Sequence, residues 1–252
     1  MQIIRFKAAG KTRYGVLEGA AAVEYSGTPW SVFLRGRRRY ALSQCVLLAP
    51  VLPSKIVAVG LNYRDHAAEM GLPLPDEPRL FLKPPTALVG PDDPIVYPPQ
   101  SSHVEHEAEL AVVMKRRCRG VTAARVREYV LGYTCLNDVT ARDVQARDRL
   151  PTRAKAFDTF CPIGPAIATD LDPNAVVVEA YVNGVLRQSS STKELIFPVE
   201  ELVARVAEVM TLLPGDVIAT GTPPGVGPLL PGDRVEVRIE GIGSLRNTVV
   251  RL

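Results

Sequence analysis

No stretch of this 252-residue chain approaches the roughly 18–20 consecutive apolar residues that span a bilayer. Its first residues, Met1-Gln-Ile-Ile-Arg-Phe-Lys7, alternate like a strand and lack the apolar core of a signal peptide. Cysteine is scarce. Cys45, Cys118, Cys135 and Cys161 stand far apart with no C-x-x-C pair, which excludes a zinc framework, and the chain is too large to need a disulfide scaffold. Reduced, mostly buried thiols in a cytoplasmic protein are expected. An excess of one charge is also missing: 30 basic and 27 acidic residues leave a net +3. Composition therefore offers no partner among nucleic acids or membranes. There is no internal repeat, no low-complexity tract and no glycine-rich strand-to-helix turn of the nucleotide-binding kind.

What is present describes an ordinary globular protein, with 46% hydrophobic and 23% charged residues. At this length roughly 70–75% of the unfolded chain's surface is buried on folding, enough for a core without staples. The 19 glycines and 22 prolines make about 16% of the residues, against roughly 12% on average, which predicts turns and β-structure over a helix bundle. The expected class is mainly β with a few helices.

Residues 1–53 read as a small β-subdomain and linker. Strand-like runs cover Ile3–Phe6, Arg13–Leu17 and Ala21–Tyr25, and the proline-bounded stretch Cys45–Pro53 reads as the linker. Arg35, Arg37, Arg38 and Arg39 read as a solvated hairpin tip rather than a phosphate patch. Residues 54–252 form the larger unit. Ile56–Gly60 and Leu110–Met114 are apolar strands, and Val176–Val182 with Val185–Gln188 flank an Asn183-Gly184 hairpin turn. Pro198 opens a helix whose Val199, Leu202, Val203, Val206 and Met210 recur at helical spacing, and Leu213-Pro-Gly215 stops it. Val217–Thr220, Arg234–Glu240 and Leu245–Val250 supply further strands.

Three places hold candidate chemistry. On a single strand over Val104–Leu110, Glu105, Glu107 and Glu109 share a face roughly 6.5–7 Å apart, close enough to converge on one divalent cation. An edge strand with an acidic wet face has the same pattern, but the apolar continuation Leu110–Met114 argues for burial, which is costly for unpaired carboxylates. Asp138 offers a third oxygen ligand; taken alone it reads as a helix cap. Three carboxylates suit Mg²⁺ or Mn²⁺, and no Cys/His set favours zinc. His66 and Glu69, three apart, can hydrogen-bond on a helical turn and form a proton-transferring dyad, or only a surface ion pair. The segment Gly221-Thr-Pro-Pro-Gly-Val-Gly227 lacks two backbone donors at its prolines and reads as a rigid turn at a pocket rim, not a phosphate loop.

Taken in order, these pieces resemble the fumarylacetoacetate hydrolase family, and the N-terminal part is similar to its bacterial 2-hydroxyhepta-2,4-diene-1,7-dioate isomerase-like branch. The matching segments are Gly60–His66 with Glu69, Phe81-Leu-Lys-Pro-Pro85, Glu107-Ala-Glu109, Asp138–Gln145, Lys155–Pro162, Ile196-Phe197 and Gly221–Gly227. The resemblance implies a mixed β-sandwich roll, usually dimeric, holding Mg²⁺ or Mn²⁺ on Glu107, Glu109 and Asp138. It implies His66 and Glu69 as the catalytic dyad on a short helix that acts as a lid. Arg142, Gln145, Lys155 and Thr222 would line the substrate's carboxylate and keto oxygens. The implied substrate is a small 2-oxo acid or its enol. The leading reading is isomerisation of a 2-hydroxy-2,4-dienedioate in aromatic catabolism, and the alternatives are acylpyruvate or fumarylpyruvate hydrolysis and oxaloacetate decarboxylation. A reading of another class, an inactive metal-stabilised binding scaffold, predicts a missing ligand or dyad member, and none is missing. Two departures stand out. Ala166 replaces an aromatic residue often found after Cys-Pro-x-Gly-Pro and is expected to alter the pocket; the basic stretch Lys115–Arg119 is expected to alter a hairpin.

Overall fold

The alternating runs of the first fifty residues fold into four antiparallel strands: β1 (Gln2–Ala8), β2 (Lys11–Glu18), β3 (Ala21–Gly27) and β4 (Phe33–Ala41). The chain is described here from a computed structural model covering residues 1–251. The segment expected as a linker contains a fifth strand, β5 (Val46–Leu48), paired with β1. The four arginines lie within β4 and not at a hairpin tip. β4 is the outermost strand of its sheet, where exposed charge discourages edge-to-edge pairing, and Arg35 and Arg39 both bind Glu18.

Beyond Pro53 come β6 (Ile56–Gly60), helix α1 (Arg64–Glu69), β7 (Arg79–Lys83), β8 (Leu88–Val89) and β9 (Ile95–Val96). The middle of the chain gives β10 (Val104–His106), β11 (Ala108–Met114), β12 (Val130–Asn137), β13 (Thr140–Ala141), α2 (Arg142–Asp148), α3 (Pro151–Lys155) and β14 (Cys161–Ala168). The last third holds β15 (Val177–Val182), β16 (Val185–Ser191), α4 (Val199–Val209), β17 (Val217–Ala219), β18 (Gly227–Leu229), β19 (Arg234–Ile239) and β20 (Gly243–Val250). Asn183 and Gly184 both take positive φ, as the tight turn between β15 and β16 requires.

One large sheet runs β4-β3-β2-β1-β14-β12-β11-β17-β6-β7, with β5 and β8 attached to β1 and β14. The N-terminal strands therefore extend the sheet that carries the site, through the β1–β14 pairing. A five-stranded sheet, β16-β15-β19-β20-β9, and a three-stranded one, β13-β10-β18, complete the mainly β architecture. Alternate residues of the central strands face two cores. Val57, Leu110 and Val112 pack with α4 and the five-stranded sheet, while Ile56, Ala111 and Val113 pack against Leu136 and Ile163. This burial on both faces explains why β6 and β11 read as unbroken apolar runs.

Helix α4 buries Val199, Leu202, Val203 and Val206, as its spacing predicts, with Pro198 at its N-cap. It ends at Val209, before Leu213-Pro-Gly215, and Gly215 makes the following turn at φ +83°. The basic stretch Lys115–Arg119 does not alter a hairpin, since residues 115–129 form a long connection between β11 and β12. Instead Arg119 donates to the carbonyls of Ala207 (2.6 Å) and Glu208, binding the last carbonyls of α4 with a cation suited to that pole. Ala166 does not shape a pocket either; it packs with Ile4, Phe6 and Ala22 in the small core of the N-terminal strands.

Candidate active site

The stretch Val104–Leu110 is not one strand. β10 and β11 belong to different sheets, and the chain breaks between them at Glu107. Polar bonds staple the break to the end of β12: the Glu107 N–H donates to Asn137 Oδ1 (3.0 Å) and the Asp138 N–H to the Glu107 carbonyl (2.9 Å). The next N–H, at Ala108, is taken by Gln188 Oε1 at 3.0 Å. The break moves Glu105 out of the expected row; its carboxylate meets Arg142 Nε at 2.7 Å and His103 Nε2 at 3.0 Å. Glu107, Glu109 and Asp138 converge instead, each buried, with ligand oxygens within 4.8 Å of one another.

Asp138 does not cap a helix: α2 begins after Ala141 with no side-chain cap. Its carboxylate is held between two buried ammonium groups, Lys83 (2.6 Å to Oδ1) and Lys155 (2.6 Å to Oδ2). Lys155 also reaches Glu107 at 2.8 Å, so this residue, read as a substrate contact, here bridges two of the three carboxylates. Lys83 further donates to the Lys155 carbonyl. Arg142 donates to Glu107 Oε1 (2.5 Å) and to Gln145 Oε1 (2.7 Å).

Burial alone would raise the Glu107 pKa, but Lys155 and Arg142 outweigh it and bring it down to about 2. Glu109 goes the other way. Burial, followed by the charges of Asp138 and Glu107, pushes it well above the ordinary carboxylate range. The nearby Lys155 charge and a bond from the Gly221 N–H (2.8 Å) offset this only in part, and among the described residues no cation makes a salt bridge to it. A buried carboxylate with no cation in direct contact, beside two others, is the donor set that a hard divalent cation completes. The residues fit Mg²⁺ or Mn²⁺ and not zinc.

The second group rests on α1. His66 Nδ1 lies 2.8 Å from Glu69 Oε2, and the other Glu69 oxygen accepts the Gly225 N–H at 3.0 Å. The chain entering α1 is anchored by buried Asn62, which donates to the Thr220 carbonyl (2.7 Å) and accepts the Phe197 N–H (2.9 Å). Asp65 accepts a bond from Ser190 of β16. The turn Gly221–Gly227 joins the two groups, since the Gly221 N–H holds Glu109 and the Gly225 N–H holds Glu69. It needs glycine at both points. Gly221 has φ +99° and a Cβ there would meet Asn62 Cβ at 2.8 Å; at Gly225, φ +89°, a Cβ would meet the Arg187 carbonyl at 2.2 Å. The Thr222 hydroxyl donates to the Ala108 carbonyl (2.9 Å) and accepts from Gln188 (2.8 Å), so its proton is already committed.

Sequence reasoning missed Lys83, Asn62 and Gln188 as site residues. The signal for Lys83 was available in charge balance, because three buried carboxylates require buried cations nearby. Nothing local marks Gln188, which sits on a hairpin strand far along the chain. Two surface hollows, of about 390 Å³ beside α4 and about 160 Å³ beside β12, contain none of these residues.

Residues 55–250 match the family described as Fumarylacetoacetate (FAA) hydrolase C-terminal, and residues 1–50 match Rv2993c-like, N-terminal. A protein of Archaeoglobus fulgidus is 56% identical over 211 residues, covering 84% of each chain. The mitochondrial oxaloacetate tautomerase Fahd2a of Rattus norvegicus is 39% identical over 98% of this chain and 79% of its own. Among solved structures, 5-carboxymethyl-2-hydroxymuconate delta-isomerase from Mycobacterium smegmatis is similar at TM-score 0.95 and 46% identity over the whole of both chains. The 2-hydroxyhepta-2,4-diene-1,7-dioate isomerase from Mycobacterium marinum gives 0.94 and 44%, over 100% and 98%. Maleylpyruvate hydrolase from Sphingobium sp. SYK-6, solved with manganese(II) and pyruvate, gives 0.83 and 32%, over 100% and 99%.

Proposed function

This chain belongs to the fumarylacetoacetate hydrolase family, and we propose that it is a divalent-metal-dependent isomerase of a 2-hydroxy-2,4-dienedioate in aromatic catabolism. The carrying observation is the single turn Gly221–Gly227, which ties a buried three-carboxylate cluster and a His–Glu pair into one site. Bound at Glu107, Glu109 and Asp138, Mg²⁺ or Mn²⁺ would draw charge from the substrate's carboxylate and adjacent oxygen as a Lewis acid.

The chain's own groups supply the rest. With Nδ1 bonded to Glu69, the His66 ring keeps its proton there and presents Nε2 to the substrate, and Glu69 stabilises the imidazolium formed when Nε2 takes a proton. The Gly225 N–H fixes Glu69 and, through it, the ring. Arg142, with Gln145 orienting it, offers its remaining N–H groups to the substrate carboxylate. Lys155 and Lys83 balance the charge of the carboxylates. Ketonising the dienol takes the proton from its 2-hydroxyl and delivers one to carbon, which needs a base that can give back what it takes, and this pair is able to do so.

The mycobacterial isomerases support this reading, and the rat tautomerase is named for a related proton movement. The second reading, cleavage of an acylpyruvate by water activated at His66, is supported by the Sphingobium hydrolase. Turnover of a 2-hydroxy-2,4-dienedioate, an acylpyruvate and oxaloacetate, each with Mg²⁺ and after chelation, tests both. The reading predicts metal-dependent ketonisation of the dienol. Cleavage of the acylpyruvate alone would favour the second reading, and full activity after chelation would overturn the metal dependence.

A further inference from the structure

We propose that Glu105, which lies outside the metal-binding trio, is a positioning residue that holds Arg142 at the substrate carboxylate when Glu107 is engaged by the metal. The inference rests on the reading above that Arg142 binds the substrate.

Arg142 opens α2, and its guanidinium has three acceptors: Glu105 on Nε (2.7 Å), Glu107 on Nη2 (2.5 Å) and Gln145 on Nη1 (2.7 Å). A guanidinium carries five N–H groups, so two remain, and the side chain is 29% exposed. Of its two carboxylate partners, Glu107 is also a metal ligand in the reading above. A divalent ion on Glu107 competes for that charge and repels the guanidinium beside it. Glu105 is then the only carboxylate left to Arg142 among its present partners.

Glu105 is built for that task. Its side chain is 12% exposed, its backbone is paired with Thr140 and Pro228 on both sides, and its second oxygen meets His103 Nε2 at 3.0 Å. Both carboxylate oxygens are thereby engaged, one by the Arg142 guanidinium and one by the His103 ring, and neither belongs to the cluster of ligand oxygens. Because the Glu105 bond is to Nε, the Nη edge keeps its free N–H groups for a bidentate contact. A surface ion pair of ordinary kind would only add a little stability.

The experiment measures Mn²⁺ binding by calorimetry, then pyruvate binding to the Mn²⁺-loaded full chain, for the parent, Glu105→Gln, Glu105→Asp, Arg142→Met and the Glu105→Gln/Arg142→Met double variant. Glu105→Gln is expected to weaken pyruvate about tenfold, the scale of one charge-assisted hydrogen bond, with Mn²⁺ affinity changed less than about threefold. Glu105→Asp should recover part of the loss, and the double variant should bind pyruvate no more weakly than Arg142→Met alone. If Arg142→Met weakens pyruvate while Glu105→Gln does not, the positioning role of Glu105 is wrong and the substrate reading stands. If Arg142→Met leaves pyruvate unchanged, the reading of Arg142 falls and takes this inference with it. A Glu105→Gln variant that loses Mn²⁺ affinity tenfold would also overturn it, by placing Glu105 in metal binding.

Discussion

With Nδ1 bonded to Glu69, His66 has one ring nitrogen left for proton transfer, and Glu69 is itself held by the Gly225 N–H. Removing a general base costs roughly 10²–10⁴-fold in rate, so His66→Ala and Glu69→Ala should each lower kcat by that much. The double variant should lose little more, because residues acting as a unit are not additive. Steady-state kinetics on a turned-over substrate checks this, and small additive losses would refute the dyad. The pair was legible in the sequence because a three-residue spacing on a helical turn needs no tertiary information. Charge balance calls for a buried cation near the three carboxylates but does not single out Lys83: a lysine ending a strand ordinarily reaches water, and only the packing of β7 beside α3 buries it.

At the scale of elements, alternation located most strands but could not reveal that Val104–Leu110 divides between two sheets. Both halves are flanked by apolar residues, and the break at Glu107 is stabilised by Asn137 and Gln188, which lie 30 and 80 positions further on from their partners. The turn Gly221–Gly227 was recognised as rigid, yet its double grip on Glu109 and Glu69 required the fold. Gly225→Ala should displace that turn, since the backbone is left-handed and a methyl would sit 2.2 Å from the Arg187 carbonyl. We expect at least a tenfold fall in kcat, with the loss in Mn²⁺ affinity much smaller; an unchanged kcat would contradict the coupling.

The wet face of β19 and β20 gives a pH test. Glu236 accepts from Arg246 (2.9 Å), Ser244 (2.7 Å) and Arg238 (2.8 Å), and these bonds, that of Arg246 foremost, lower its pKa from 4.5 to about 2. A carboxyl depressed on folding stabilises the protein above its unfolded pKa and ceases to as pH falls through the folded one. Urea titrations should therefore show Glu236→Gln less stable than the parent near neutrality, with the gap closing between about pH 4.5 and 2. A gap independent of pH would show that the loss comes from packing.

For the whole molecule, the mainly β class followed from glycine and proline content and from strand alternation, whereas the strand order did not. Nothing local says that β17 lies between β11 and β6, or that β1 joins the central sheet through β14. Those pairings link residues far apart in the chain and are decided by how the two cores fill. We propose a homodimer, for which light scattering at micromolar concentration should give twice the 27.4 kDa chain mass; a 27.4 kDa particle would contradict it.

The proposed activity depends most on one divalent cation at Glu107, Glu109 and Asp138. Glu109 is the sharpest probe, because it is buried, raised in pKa by burial and by its carboxylate neighbours, and without a salt bridge to any cation among the described residues. Titration of metal-free protein with Mn²⁺, read by electron paramagnetic resonance of the free ion, measures the site without reference to any substrate. The parent should bind one Mn²⁺ per chain, and Glu109→Gln, folded by circular dichroism, should bind none at the same concentrations. Equal binding by the two proteins would contradict the assignment.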